Sequence, residues 1–212
     1  MSRVRAVMFD FDGTLVDTMG GFADIAADVI HRLFGLDRAF ARAEYLRTSG
    51  LPFRQQLEVI CPGDDRNDLA SDQFEARKQE GFFAEHFDDD VKLAIAGLHQ
   101  KGLRVIVSSN NFQELVDQFV ARESDVSFDM VLGARSNFFK GADHFRHVME
   151  VLGLAADELL FVGDSLNDGL KALENHVRFI GRTGTFTAVD FTRTFPGVLT
   201  VDRLTSLLDV IE

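Results

Sequence analysis

"AVMFDFDGTLVD", Ala6 to Asp17, places two carboxylates at the tip of an apolar run. The four apolar residues Ala6 to Phe9 read as a strand buried on both faces, the habit of a parallel sheet. Asp10 and Asp12 follow, with only Phe11 between them. Two such charges repel by about 4 kcal/mol at about 4 Å in a medium of effective dielectric about 20. A chain that sets both at one strand end needs a reason to keep them there.

Working outward, the same apolar signature recurs. "VRAVMF" (Val4 to Phe9), "LRVIV" (Leu103 to Val107), "DMVLG" (Asp129 to Gly133), "LLFVG" (Leu159 to Gly163), "VRFIG" (Val177 to Gly181) and "VLTV" (Val198 to Val201) all read as strands. Helical spacing lies between them, as in Phe112, Leu115, Val116, Phe119 and Val120, and again in Phe145, Val148, Met149 and Leu152. Alternation of this kind predicts an α/β fold: a Rossmann-like three-layer sandwich on a mainly parallel sheet. Residues 18–86 break the alternation with helix patterns and no convincing strand. Phe22, Ile25, Ala26, Val29 and Leu33 form one stripe there. The expected organisation is a core of residues 1–17 and 87–212 with a small all-helical cap, 18–86, inserted after the first strand.

Composition limits the partners. The 212 residues carry a net charge of −12, which disfavours nucleic acid and anionic membrane. It also means that any anionic substrate needs a local reversal of sign, for which a divalent cation is the natural means. No apolar run approaches the roughly 18 residues of a membrane span. The chain enters a strand at once, so no signal peptide is expected. Cys61 is the one cysteine, which excludes an internal disulfide and suits a reducing cytoplasm. Oligomeric state is not readable from these features.

In an open parallel sheet, function gathers beyond the carboxyl ends of the strands. The first strand ends in Asp10-Phe11-Asp12-Gly13-Thr14, the second in Ser108-Ser109-Asn110, and the fourth in Gly163-Asp164-Ser165-Leu166-Asn167-Asp168. Lys140-Gly141 opens a helix shortly after the third. Four segments thus deliver carboxylates, hydroxyls and an ammonium to one sheet edge.

These segments resemble the four motifs of the haloacid dehalogenase-like superfamily, in order: "DFDGTLVD", "VIVSSN" with Ser108 as its Ser/Thr, Lys140 in "FKGADHF", and "GDSLND". The third departs from the commoner Lys-Pro in having Lys140-Gly141. The resemblance covers the sheet domain, and the helical insert falls where the family places a type-1 cap. It implies a Mg²⁺-dependent phosphatase acting on a small phosphorylated metabolite. A phosphomutase of the β-phosphoglucomutase type and a non-catalytic regulatory relative are the alternatives.

Residue by residue, the resemblance implies Asp10 as nucleophile and Asp12 as general acid and base. Mg²⁺ would be held by Asp10, Asp164 and the main-chain carbonyl of Asp12. Asp168 either supports the metal or orients Lys140. Ser108, Ser109, Asn110 and Lys140 would hold the phosphoryl oxygens, with Gly13 and Thr14 shaping the turn beside them. Asp17 is expected as an N-cap. In the insert, Gly50 and Arg54 of "SGLPFRQQL" are the candidates for reading the substrate, Arg54 being equally a surface arginine. His144 and His147 are expected on a solvated helix face, Cys61 as inert packing, and Asp88-Asp89-Asp90 as a solvated hinge or helix start.

Overall fold

The computed structural model describes residues 3–211, apart from the side chain of Glu80 and the burial of Gly81. The chain divides into two compact units, Met1–Val16 with His86–Glu212, and Asp17–Glu85.

The first unit is built on six strands: β1 (Ala6–Asp10), β2 (Arg104–Phe112), β3 (Met130–Ala134), β4 (Leu159–Gly163), β5 (Arg178–Arg182) and β6 (Leu199–Val201). Their order across the sheet is β3-β2-β1-β4-β5-β6, and every neighbouring pair runs parallel. The chain order reverses between β1 and β4, which is where an open α/β sheet forms its crevice. The apolar runs explain the central strands, because β1 and β4 are buried along their whole length.

Alternation along β1 sorts the two faces. Ala6 and Met8 share a core with Phe145, Val148 and Ala172. Phe11, of opposite parity, meets Phe119 and Phe87 edge-on. The second strand runs further than its apolar stretch, with a register shift between Ser108 and Phe112.

The second unit holds α1 (Met19–Phe34), α2 (Arg38–Arg47), α3 (Phe53–Ile60) and α4 (Asn67–Phe82). Phe22, Tyr45, Phe53 and Phe74 form its aromatic centre. The N-cap of α1 is Thr18, one residue beyond the expected Asp17.

The remaining helices belong to the sheet unit: α5 (Asp89–Gln100), α6 (Gln113–Arg122), α7 (Ala142–Leu152), α8 (Leu166–Glu174), α9 (Ala188–Thr194) and α10 (Leu207–Val210). The helix start expected of the acidic run is there: the Asp88 carboxylate caps α5 by accepting from the Val91 N–H at 2.8 Å. Asp90 accepts from the Leu204 N–H and the Thr205 hydroxyl, tying α5 to the C-terminal segment.

Candidate active site

Asp10 ends β1 with its carboxylate buried. The turn that follows is closed by main-chain bonds from Leu15 and Val16 back to the Phe11 carbonyl. Gly13 takes the left-handed conformation that this turn needs, with φ of 82°. The Thr14 hydroxyl donates to Asp10 Oδ2 at 3.2 Å, and Arg182 Nη1 crosses from the end of β5 to the Gly13 carbonyl at 2.8 Å.

Lys140 comes from the segment leading into α7. Its ammonium lies 2.5 Å from Asp10 Oδ1 and 2.6 Å from Asp168 Oδ1, and the side chain is 2% exposed. Gly141 stands at φ 114° and ψ −128°, a conformation closed to proline and to residues bearing a Cβ. Glycine in place of the commoner proline therefore reflects a different backbone path into α7.

Asp164 and Asp168 arrive together from the β4–α8 junction. The Thr185 hydroxyl donates to Asp164 Oδ2. Asp168 completes a capping box: Ser165 Oγ donates to its Oδ2 at 2.7 Å, and its own N–H donates back to Ser165 Oγ at 3.1 Å. Gly163 leaves room for this, since a Cβ there would lie 2.7 Å from the Asp168 side chain.

Asp10, Asp164 and Asp168 each turn one oxygen into a common space, the three atoms lying within 4.8 Å of one another. When all are ionised, three carboxylates meet one ammonium in direct contact, an excess of two negative charges within that cluster. Burial is the main cause of raising Asp10 to about 6, reinforced by Asp168 and opposed by Lys140. Burial likewise raises Asp164 well above the carboxylate range, with Asp10 and Asp168 adding to it. Burial acts to lower Lys140, but the charges of Asp10 and Asp168 prevail and hold it above its usual value. Lys171, beside Gly141, is pushed down to about 8 by burial and by the charge on Lys140. Hard oxygen donors with an excess of two negative charges fit a small divalent cation.

Other expected site residues are placed less simply. The Asp12 carboxylate stands outside the cluster and accepts from Asn111 Nδ2 at 2.8 Å. Ser109 Oγ accepts from the Asn111 N–H at 3.0 Å. The Ser108 hydroxyl bonds to His144 Nδ1 at 2.9 Å, and both residues are fully buried. The cause is register. Ser108 pairs with Asp10 across the strands, so the two side chains share one face, the one covered by α7. His144 is thus no solvated residue. Burial pushes it down to about 3, which keeps the ring neutral, and it stacks near Phe138. Arg54, within the helical unit, is paired with Glu58 and Asp68. Gly50 lies in the same unit, ahead of α3.

The model of the haloacid dehalogenase-like hydrolases matches residues 4–176. The chain belongs to the haloacid dehalogenase-like hydrolases. A phosphoglycolate phosphatase of Photobacterium profundum is 27% identical over 228 residues, spanning 99% of this chain and 96% of that one. An N-acylneuraminate-9-phosphatase of Rattus norvegicus is 25% identical and covers 81% of this chain and 82% of its own. Among solved structures, a haloacid dehalogenase-like family hydrolase from Streptococcus pneumoniae superposes with a TM-score of 0.83 at 18% identity, over 100% of both chains. That likeness is one of fold. Against this haloacid dehalogenase-like frame, Asn111, Thr185 and Arg182 are the contacts that sequence reading missed. Asn111 follows the second motif directly, but nothing in a polar dipeptide announces which Asn turns toward Asp12.

Proposed function

We propose that the protein is a Mg²⁺-dependent phosphatase that hydrolyses a small phosphorylated metabolite through an aspartyl-phosphate. The observation that carries this reading is the buried meeting of Asp10, Asp164 and Asp168 with Lys140. Mg²⁺ would be held by Asp10 and Asp164, with Asp168 behind them. When bound it supplies the positive charge that favours ionised Asp10 and tolerates a phosphoryl group in a protein of net charge −12.

The chemistry of the chain's own residues follows. A carboxylate oxygen of Asp10 attacks phosphorus, and the bond from phosphorus to the ester oxygen breaks. The departing oxygen takes its electron pair and accepts a proton from Asp12. Lys140 offers a fixed positive charge where the transferring oxygens gather negative charge. Water then attacks phosphorus and gives a proton to Asp12. The bond to Asp10 breaks, releasing inorganic phosphate and restoring the carboxylate. Asp168 orients Lys140, since one of its oxygens lies against that ammonium and the other is committed to Ser165. Ser108, Ser109 and Asn110 at the end of β2 would hold the phosphoryl oxygens, the Ser108 hydroxyl keeping hydrogen-bonding capacity beyond its bond to His144.

The phosphoglycolate phosphatase relatives favour a short anionic phosphate ester as substrate. The insert Asp17–Glu85 is assigned the family's cap role by its place in the chain, with Gly50 and Arg54 as its substrate-reading candidates. No described helix is long and apolar enough to cross a membrane.

The test is turnover of phosphoglycolate and nitrophenyl phosphate with Mg²⁺, with EDTA, and by Asp10→Asn. Activity should appear with Mg²⁺ and vanish in the other two conditions. Undiminished turnover by the variant would overturn the nucleophile assignment.

A further inference from the structure

We propose that Asn111 is a positioning residue for Asp12, fixing the carboxyl group that must face the leaving oxygen. The inference rests on the phosphatase reading above and adds a residue to it.

Asn111 and Asp12 are far apart in the chain and come from different strand ends, yet Asn111 Nδ2 donates to Asp12 Oδ2 at 2.8 Å. The orientation of the amide follows from chemistry: a carboxylate accepts only from a donor, so the NH₂ and not the carbonyl faces it. Asn111 is 3% exposed, and its Oδ1 is buried with no hydrogen-bond partner among the described residues. An amide that leaves its own carbonyl unpartnered in order to present its NH₂ to Asp12 is held there by its backbone.

That backbone is firmly tied. The Asn111 N–H donates to Ser109 Oγ. Two residues on, Gln113 Oε1 accepts from the Gly133 N–H at 2.8 Å and its Nε2 donates to the Val131 carbonyl at 3.0 Å, stapling this end of β2 to β3. The register shift between Ser108 and Phe112 is the device that aims the side chain, since a bulge redirects residues that strict alternation would send elsewhere.

A carboxyl group on a single Cβ swings freely about its last torsion. One directional donor on Oδ2 fixes the plane of the group. It also holds Asp12 away from the Asp10, Asp164 and Asp168 oxygens, where a cation would otherwise draw it in. Asn111 touches neither phosphorus nor leaving group in this role; it acts through Asp12.

The test exploits leaving groups. A nitrophenolate departs with little need of a proton, whereas an alkoxide or phenolate depends on one. Asn111→Ala should lower kcat/KM for phenyl phosphate by about tenfold to a hundredfold, part of the 10²–10⁴ that a positioned acid contributes. For dinitrophenyl phosphate the loss should stay below about threefold on the same grounds. Asn111→Asp keeps the shape, removes the amide donor and should show the same selective loss. The ratio between two esters on one preparation cancels any inactive fraction, so partial misfolding does not obscure it. Equal losses for both esters, or a wild-type ratio in Asn111→Asp, would overturn the proposal. Asp10→Asn is run alongside: if that variant stays active, the reading through an aspartyl-phosphate at Asp10 fails, whereas an inactive Asp10→Asn beside an unselective Asn111→Ala rejects only the role of Asn111.

Discussion

Asp10→Asn should abolish turnover with Mg²⁺ and make the metal-free protein more stable at neutral pH. The carboxyl of Asp10 is raised from 3.8 to about 6 by burial, with Lys140 unable to offset the loss of water and the neighbouring carboxylates. A group raised on folding favours the folded state below its unfolded value, and that contribution is lost as pH climbs through the folded one. The window runs from about pH 4 to about pH 6, and the separation corresponds to ~3 kcal/mol once Asp10 is fully ionised. Asparagine keeps the shape and carries no charge, so the variant escapes this cost. Urea denaturation in EDTA should show Asp10→Asn more stable than the parent by ~3 kcal/mol at about pH 7.5 and by only ~1 kcal/mol at about pH 4.5. Adding Mg²⁺ should stabilise the parent more than the variant and narrow the gap. A variant no more stable than the parent at the higher pH, or a gap equal at both, would refute the account of Asp10 as a charge held against its own solvation.

Lys140→Met removes a 2% exposed ammonium from between two carboxylates, and the same EDTA titration should register a loss of about 3–5 kcal/mol, with activity down by at least about 10²-fold. Gly163→Ala drives a methyl to 2.7 Å from the Asp168 side chain, so stability should fall by about 1–3 kcal/mol together with kcat; an unchanged kcat would contradict the tight packing described. For Asp90, burial pushes the pKa up, but the bonds from Thr205, Leu204 and Arg203 prevail and hold it low. Its contribution is present above about pH 4 and lost as pH falls through the lower folded value, so the deficit of Asp90→Ala, about 1–3 kcal/mol at neutral pH, should close on acidification.

The six strands were legible because each is a short apolar run, and a sheet covered on both faces asks for nothing subtler. Asp10, Asp164 and Lys140 were legible because carboxylates and an ammonium at strand ends are costly unless they meet. Directions of single side chains were not. That Ser108 shares a face with Asp10 and meets His144 depends on a one-residue parity that the sequence VIVSSNN does not reveal. His144 looked like a surface residue because its helix is amphipathic, yet the neighbouring Ser108 hydroxyl gives its ring a partner and lets it be buried. Asn111 was invisible because a bulge, not alternation, aims it. The three aspartates Asp88 to Asp90 read as one charged run, although the first caps α5 and the last binds a segment more than a hundred residues away.

Asp168 closes the first turn of α8 with one oxygen and steadies the Lys140 ammonium with the other. Fraying at that helix terminus and misalignment of that cation are consequently a single event. Substitutions that loosen α8 from a distance, on residues far from any reacting atom, should therefore surface first as catalytic defects, while the rest of the sheet still melts as a native protein does.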